Sequence, residues 1–97
     1  MRIIARKTLR AYWERHPDAE QPLRAWYGEV KGEDWDSPTR LRARYPTASI
    51  LPGNRAVFRF KGGSYRLVVR VDYDKRIVFI RFIGTHAEYD RIDAKEV

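Results

Sequence analysis

The sequence contains no cysteine and only two histidines among its 97 residues. The missing cysteines exclude a disulfide framework and a thiolate metal site, and this composition suits a reducing cytoplasm. With so few imidazoles and no pattern of paired carboxylates, a dedicated metal site has few possible ligands. No glycine-rich loop joins a strand to a helix, which argues against a nucleotide hydrolase. We therefore expect neither a bound metal nor an organic cofactor.

Long apolar runs are also absent. No stretch approaches the ~20 residues that a membrane-spanning helix requires. The opening residues, MRIIARK, have too short an apolar core for a signal peptide. The length, with 43% hydrophobic and 13% aromatic residues, predicts a single domain over residues 1–97. The sequence thus predicts a cytoplasmic protein that has no membrane partner.

Positive charge, in contrast, is abundant. Lysine and arginine number 20 against 13 acidic residues, which gives a formal net charge of +7. Such an excess favours a polyanionic partner such as a nucleic acid. Most of the basic residues are arginines, whose guanidinium groups bind phosphate through two donors at once. The alternative is an ordinary solvated surface with excess charge.

The first half of the chain has helical periodicity after a short strand candidate at Arg2–Ala5. Apolar residues at spacings of three and four predict helices over Arg6–His16 and over Asp18–Gly32, with Asp18 as the N-cap of the second helix. A third, basic helix is predicted to begin at Pro38. The segment Thr47–Asn54 is predicted to be a loop.

The second half changes to alternation with a period of two. Arg55–Lys61 and Tyr65–Asp72 predict antiparallel strands joined by a tight turn at Gly62-Gly63. Ile77–Ile83 predicts a third strand, which Gly84 is expected to break. Together these elements predict an α+β domain. Its N-terminal strand and helices pack on an antiparallel sheet, and a short helix lies near the C-terminus.

Alternation places five basic side chains on the face of the sheet that points away from the helices. They are Arg55, Arg59, Lys61, Arg66 and Arg70. Like charges on adjacent strands repel one another, and a bound anion would offset that cost. We interpret this face as an RNA-binding surface. The alternative is a solvated face, which antiparallel sheets commonly have.

The residues best suited to chemistry lie at the end of the third strand. Arg81 interrupts an otherwise apolar strand, which is costly unless its guanidinium reaches water, an acid or an anionic ligand. Thr85 and Glu88 form a capping-box signature, which predicts the start of a short helix. One face of that helix carries three polar residues at spacings of three and four, namely His86, Tyr89 and Asp90.

These residues match the requirements of RNA cleavage by the ribose 2′-hydroxyl. That reaction needs a base for the hydroxyl, positive charge at the phosphate and an acid for the leaving 5′-oxygen. We expect His86 to transfer a proton and Arg66 and Arg81 to bind the phosphate. Tyr89 is suited to donate a proton or to stack on a base, and Asp90 to orient His86. Binding of RNA without cleavage is the alternative.

The C-terminal half resembles the HigB-type toxins of bacterial toxin–antitoxin pairs, which belong to the wider RelE/ParE-like group. The order of elements fits this family over nearly the whole chain, and the specific motif is confined to residues 54–93. The matching residues are Val57-Phe58, Gly62, Tyr65-Arg66-Leu67, Ile80-Arg81-Phe82, residues 84–90 (GTHAEYD) and Ile92-Asp93.

The resemblance implies a RelE-like fold and an endoribonuclease that cleaves messenger RNA, typically on the ribosome and without a metal. It also implies a cognate antitoxin, usually a helix-turn-helix protein, through which alone the toxin would reach operator DNA. The family's RNA contacts carry over to Thr85 and Asp90, and its catalytic residues carry over to Arg66, Arg81, His86 and Tyr89. Two alternatives stay open, a ParE-like gyrase poison and a non-catalytic RNA-binding module.

Overall fold

The strands of the protein form one five-stranded sheet in a computed structural model that describes all residues, 1–97. They are β1 (Arg2–Ile4), β2 (Ser49–Leu51), β3 (Arg55–Phe60), β4 (Tyr65–Asp72) and β5 (Ile77–Thr85). Their order across the sheet is β1-β5-β4-β3-β2, and only the β1–β5 pair is parallel. The N-terminal strand therefore forms one edge of the sheet, as the sequence predicts.

Four helices accompany the sheet: α1 (Arg6–Arg15), α2 (Glu20–Lys31), α3 (Pro38–Arg44) and α4 (His86–Tyr89). Helix α3 begins as predicted, because the Ser37 hydroxyl accepts a 3.3 Å hydrogen bond from the Arg40 amide and Pro38 occupies the first turn. None of the four helices is both long and apolar enough to cross a lipid bilayer. The fold is the predicted α+β class, consistent with a RelE-like domain.

The main core lies between the helices and one face of the sheet. Helix α1 contributes Leu9, Tyr12 and Trp13, and helix α2 contributes Leu23, Trp26 and Val30. The sheet contributes alternate residues of its central strands, Ala56, Phe58, Leu67 and Val69. Full burial of each large apolar side chain stabilises the fold by roughly 1.5–3 kcal/mol, so this layer fixes which face of the sheet stays outside.

The outer face of the sheet is not uniformly cationic, because a second, smaller core covers its centre. Val57 and Val68 lie opposite each other on β3 and β4, and Ala94 of the C-terminal segment packs on them. The basic residues therefore flank an apolar patch. The alternation of β3 and β4 does not reveal this smaller core, because the core is completed by residues that follow α4.

Two strand boundaries differ from the prediction. The expected loop Thr47–Asn54 contains β2, whose residues Ser49–Leu51 pair with Arg55–Val57 and are all half-buried. A strand this short with no buried-exposed alternation gives no periodic signal. Gly84 does not break β5. It is buried and lies in register with Arg66.

Two turns also differ. Lys61 is not part of β3 but opens a 3-10 turn over Lys61–Gly63, so the hairpin loop runs over residues 61–64 between the paired Phe60 and Tyr65. The residues of this turn have positive φ angles, which glycine accommodates most easily. Asp18 is not an N-cap, since it lies in a 3-10 turn before α2 and accepts a hydrogen bond from the Tyr65 hydroxyl.

Candidate active site

The short helix α4 is held firmly at the end of β5. The Thr85 hydroxyl accepts a 3.1 Å hydrogen bond from the Glu88 amide, and the Glu88 carboxylate accepts one of 2.7 Å from the Thr85 amide. This is the predicted capping box, and it satisfies donors that a helix start leaves free. The His86 amide also donates to the Ser64 carbonyl at 3.0 Å. Helix α4 is therefore tied to the hairpin loop that precedes β4.

Arg66 lies next to this helix on the outer face of the sheet. Its guanidinium carbon is 5.0 Å from the centroid of the Tyr89 ring, a cation–π distance. Its Nε is buried and has no hydrogen-bond acceptor in the protein. A buried donor without an acceptor costs about 1–3 kcal/mol. The arrangement thus combines a cation with an aromatic surface, which suits a phosphate beside a stacked base.

His86 and Asp90 form the second contact of the site. His86 Nδ1 lies 3.0 Å from Asp90 Oδ2, one helical turn away, and both side chains are more than half exposed. A carboxylate at Nδ1 favours the tautomer in which that nitrogen carries the proton, which leaves Nε2 of the neutral imidazole as an acceptor. The pair therefore presents a nitrogen that can accept a proton from a substrate.

Arg81 lies at a β-bulge. Val69 pairs with Ile80 and Val68 pairs with Phe82, so Arg81 has no partner across β4. The bulge resets the alternation of the strand. Phe82 consequently joins the outer face, where its ring lies 6.5 Å from that of Tyr89. The Arg81 side chain is exposed and makes no hydrogen bond or ion pair within the protein. That Arg81 and His86 converge with Arg66 on one phosphate stays a prediction.

The remaining basic residues occupy different positions on the outer face. Arg59 lies directly opposite Arg66, is exposed, and donates to the Thr47 carbonyl at 3.2 Å. Arg70 lies opposite Arg55, with its guanidinium carbon 4.6 Å from the centroid of the Phe79 ring.

Arg55 has a structural contact that the sequence did not indicate. Its Nε and Nη2 donate to the main-chain oxygen of Val97 at 3.1 and 3.0 Å. This fork holds the C-terminal segment over the sheet. Lys61 is exposed in the hairpin loop, close along the chain to Ser64, which binds the start of α4.

A cluster on the other side of α4 has no counterpart among the residues predicted from sequence. The ring of His16 stacks on that of Tyr12 at 4.2 Å, and the Tyr12 hydroxyl lies 3.5 Å from the Glu88 carboxylate. Burial, together with the Glu88 charge, raises the pKa of Tyr12 to about 12. The hydrogen bond from the Thr85 amide lowers the pKa of Glu88. Tyr12 and His16 are only four positions apart, but no motif indicates that Glu88, 76 positions after Tyr12, joins them in the fold.

Helix α4 is consequently anchored on both faces of the sheet. Glu88 reaches the helical layer at Tyr12, whereas Tyr89 packs on the outer face against Arg66 and Phe82. The His86–Asp90 pair stays exposed beside these anchors. A fixed backbone with an accessible imidazole is the arrangement that positioned proton transfer requires.

A family model described as HigB_toxin, RelE-like toxic component of a toxin-antitoxin system, matches residues 19–92. The chain is 22% identical over 94 residues to a protein named mRNA interferase HigB from Escherichia coli O6:H1, a match that covers 95% of this chain and 91% of the relative. It is 27% identical over 92 residues to the mRNA interferase toxin HigB of Escherichia coli strain K12, covering 93% and 88%. The same values hold for the mRNA interferase HigB of Shigella flexneri.

Proposed function

Because the chain belongs to the HigB toxin family, the RelE-like toxic components of toxin–antitoxin systems, we propose that it is an endoribonuclease that cleaves messenger RNA. The relatives named as mRNA interferases support this activity. The observation that carries the proposal is the pairing of two contacts on one short helix. His86 is bound by Asp90, and Tyr89 lies under the Arg66 guanidinium.

In the proposed reaction the ribose 2′-hydroxyl attacks the adjacent phosphate and displaces the 5′-oxygen of the next nucleotide. His86 Nε2 accepts the proton of the 2′-hydroxyl, and Asp90 stabilises the imidazolium that forms. Arg66 and Arg81 stabilise the charge that develops on the phosphate oxygens. The Tyr89 hydroxyl gives a proton to the leaving oxygen. The products are a 2′,3′-cyclic phosphate and a free 5′-hydroxyl, and this scheme uses no metal ion.

The basic residues outside this group are proposed to bind the flanking RNA backbone. Arg59, Lys61 and Arg70 lie along the outer face or its loop, and Thr85 lies at the start of α4. Arg55 contributes charge to the same face while it holds the C-terminal segment. We further propose that cleavage takes place on the translating ribosome. A helix-turn-helix antitoxin is proposed to neutralise the toxin and to provide its link to operator DNA.

The proposal is tested by brief induction in cells, followed by primer-extension mapping of transcripts, and by cleavage assays with purified protein. We expect His86→Ala to lower the cleavage rate by about 10²–10⁴-fold, the usual contribution of a general base. We expect Arg66→Ala to lower it by about 10²–10³-fold through lost charge stabilisation. Arg40→Ala and Arg42→Ala are the matched controls, since both are exposed residues of α3, outside the site.

Each variant is first checked for folding by circular dichroism and thermal melting. The proposed site is wrong if folded His86→Ala and Arg66→Ala cleave as fast as the controls. Intact transcripts together with DNA damage after induction would instead indicate a gyrase poison. Salt-sensitive RNA binding without scission would indicate a non-catalytic binding module.

A further inference from the structure

A groove of about 560 Å³ lies between the C-terminal segment and the edge strand β2. Its lining includes four hydrophobic residues, Leu51, Tyr89, Ile92 and Ala94. Asp90, Asp93 and Lys95 supply its polar groups. An apolar groove with an aromatic wall and a few polar groups is the usual form of a site for a flat heterocyclic ligand.

The groove shares two residues with the candidate active site, Tyr89 and Asp90. The Tyr89 ring lies under the Arg66 guanidinium and against Phe82, and the same residue lines the groove. Asp90 is also shared, since one of its oxygens contacts His86. A ligand in the groove therefore lies next to the groups proposed to act on the phosphate. The occupant that fits these shared residues is a nucleobase of the same RNA.

Each of the two carboxylates of the groove has one oxygen held by a contact within the protein and one oxygen without a hydrogen-bond partner. Asp93 Oδ1 accepts a 3.0 Å hydrogen bond from the Lys95 amide, and Asp90 Oδ2 lies 3.0 Å from His86 Nδ1. The other oxygen of each carboxylate has no hydrogen-bond partner in the protein. An ionised carboxylate can only accept hydrogen bonds. The groove therefore favours ligands that offer N–H donors.

We propose that this groove binds a base of the RNA substrate beside the scissile phosphate, and that Asp93 selects bases that carry an exocyclic amino group. This inference rests on the proposed nuclease function. Cytosine presents an amino group at position 4 where uracil presents a carbonyl oxygen, and carboxylates are established acceptors for that amino group. Tyr89 supplies the aromatic surface for stacking.

A wholly apolar occupant, such as the hydrophobic side chains of an antitoxin, fits this groove less well. It would cover the unpaired carboxylate oxygens of Asp90 and Asp93 without offering them a donor, which is costly. A base offers both an apolar face and N–H groups. The observations consequently favour RNA as the occupant.

The test is binding of two dinucleotides, 2′-deoxy CpC and 2′-deoxy UpU, followed by ¹⁵N–¹H correlation spectra of the intact protein. These probes differ in the group at position 4 of each base, and without the 2′-hydroxyl they cannot be cleaved. We expect shifts at the amides of residues 92–95 and a dissociation constant for CpC about tenfold lower than for UpU.

Asp93→Asn is the variant that isolates the selecting group. The amide keeps an oxygen that can accept from Lys95, and it adds a donor for the uracil carbonyl. We expect the tenfold preference to fall to about twofold or less. Asp74→Asn, an exposed carboxylate in the turn before β5, is the matched control and should retain the full preference.

The outcomes separate this inference from the proposed function. Equal affinities for CpC and UpU, or shifts that avoid residues 92–95, overturn the inference even if RNA cleavage is normal. Unshifted groove amides with the dinucleotides but shifted ones with the antitoxin overturn it in favour of a protein partner. Selective CpC binding that Asp93→Asn abolishes supports base selection in the groove, and an absence of scission in the cleavage assay would then overturn the proposed function alone.

Discussion

Gly84 provides the sharpest test of how the candidate site is packed. It is buried within β5, opposite Arg66, and has no positive φ angle that would itself require glycine. A Cβ at this position would lie 2.5 Å from Phe82 Cζ, 3.0 Å from Phe82 Cε1 and 3.1 Å from Glu88 Cβ. Gly84→Ala therefore probes steric fit at the junction of β5 and α4, without a backbone penalty.

The expected cost follows from these distances. Non-bonded carbon atoms prefer separations of about 3.5–4.0 Å, so the Phe82 ring must move by about 1 Å. That ring is packed in the smaller core against Tyr89. Overpacking of this kind costs about 1–3 kcal/mol, and the lower entropy of an unfolded alanine offsets about 0.4–1 kcal/mol of it. The net destabilisation is about 1–2 kcal/mol.

Thermal and urea denaturation measure this effect. For a domain of this size, about 1–2 kcal/mol lowers Tm by roughly 4–16 °C. Gly28→Ala is the matched control, because Gly28 lies within α2 and a Cβ added there would have no atom within 4 Å. Replacing a helical glycine by alanine should stabilise the protein by about 0.5–1 kcal/mol.

Activity and rescue complete the experiment. We expect Gly84→Ala to reduce RNA cleavage at temperatures where it remains folded, because a displaced Phe82 ring moves Tyr89. Adding Phe82→Leu should recover part of the lost stability by making room for the new methyl group. The reasoning is refuted if Gly84→Ala is as stable as the parent within about 0.5 kcal/mol, the usual range of a harmless substitution.

Two further predictions concern the C-terminal segment and the helix cap. Arg55→Lys keeps the charge but loses the fork to Val97, so amides of residues 94–97 should exchange with solvent about tenfold faster; unchanged exchange would contradict this role. The pKa of Glu88 is lowered below its usual 4.5 by the Thr85 amide, so its stabilisation is complete above that value and is lost as pH falls through the lowered pKa. The Thr85 amide resonance should shift in that acidic range, and Glu88→Gln should remove the shift.

The elements of the sheet that carry a strong periodic signal were predictable. Tyr65–Asp72 alternates inward and outward residues, with only the outward Val68 buried by the smaller core, and the strand has the predicted limits. The capping box of Thr85 and Glu88 was also predictable, since it depends on two side chains and one helical turn. Local rules suffice where a residue's partners lie within a few positions of it in the sequence.

The misses have a common physical origin in contacts between distant segments. Asp18 is a residue type that commonly caps helices, but its carboxylate accepts a hydrogen bond from the Tyr65 hydroxyl instead. Strand β2 exists because β3 offers it an edge, and its own residues carry no alternation. The bulge at Arg81 moves Phe82 to the outer face. A mostly apolar strand sequence does not indicate where such a bulge inserts an unpaired residue.

The site was predicted as a set of residues rather than as an arrangement. The helical spacing indicated that His86 and Asp90 would meet, and they lie 3.0 Å apart. The contact between Arg66 and Tyr89 could not be derived from spacing, because it depends on the register of β4 against β5. The groove beside Tyr89 was not foreseen, because its walls come from β2 and from the segment after α4.

The parallel pairing of β1 with β5 has a consequence for folding during synthesis. It joins Arg2 to Ile77, so the first strand synthesised stays unpaired until the fifth strand has been made. Closing so long a loop is slow relative to forming local helices. Until β5 has been synthesised, the nascent polypeptide therefore has no finished sheet and no assembled site. A protein whose proposed target is messenger RNA therefore assembles its candidate site only after β5 and α4 have been synthesised.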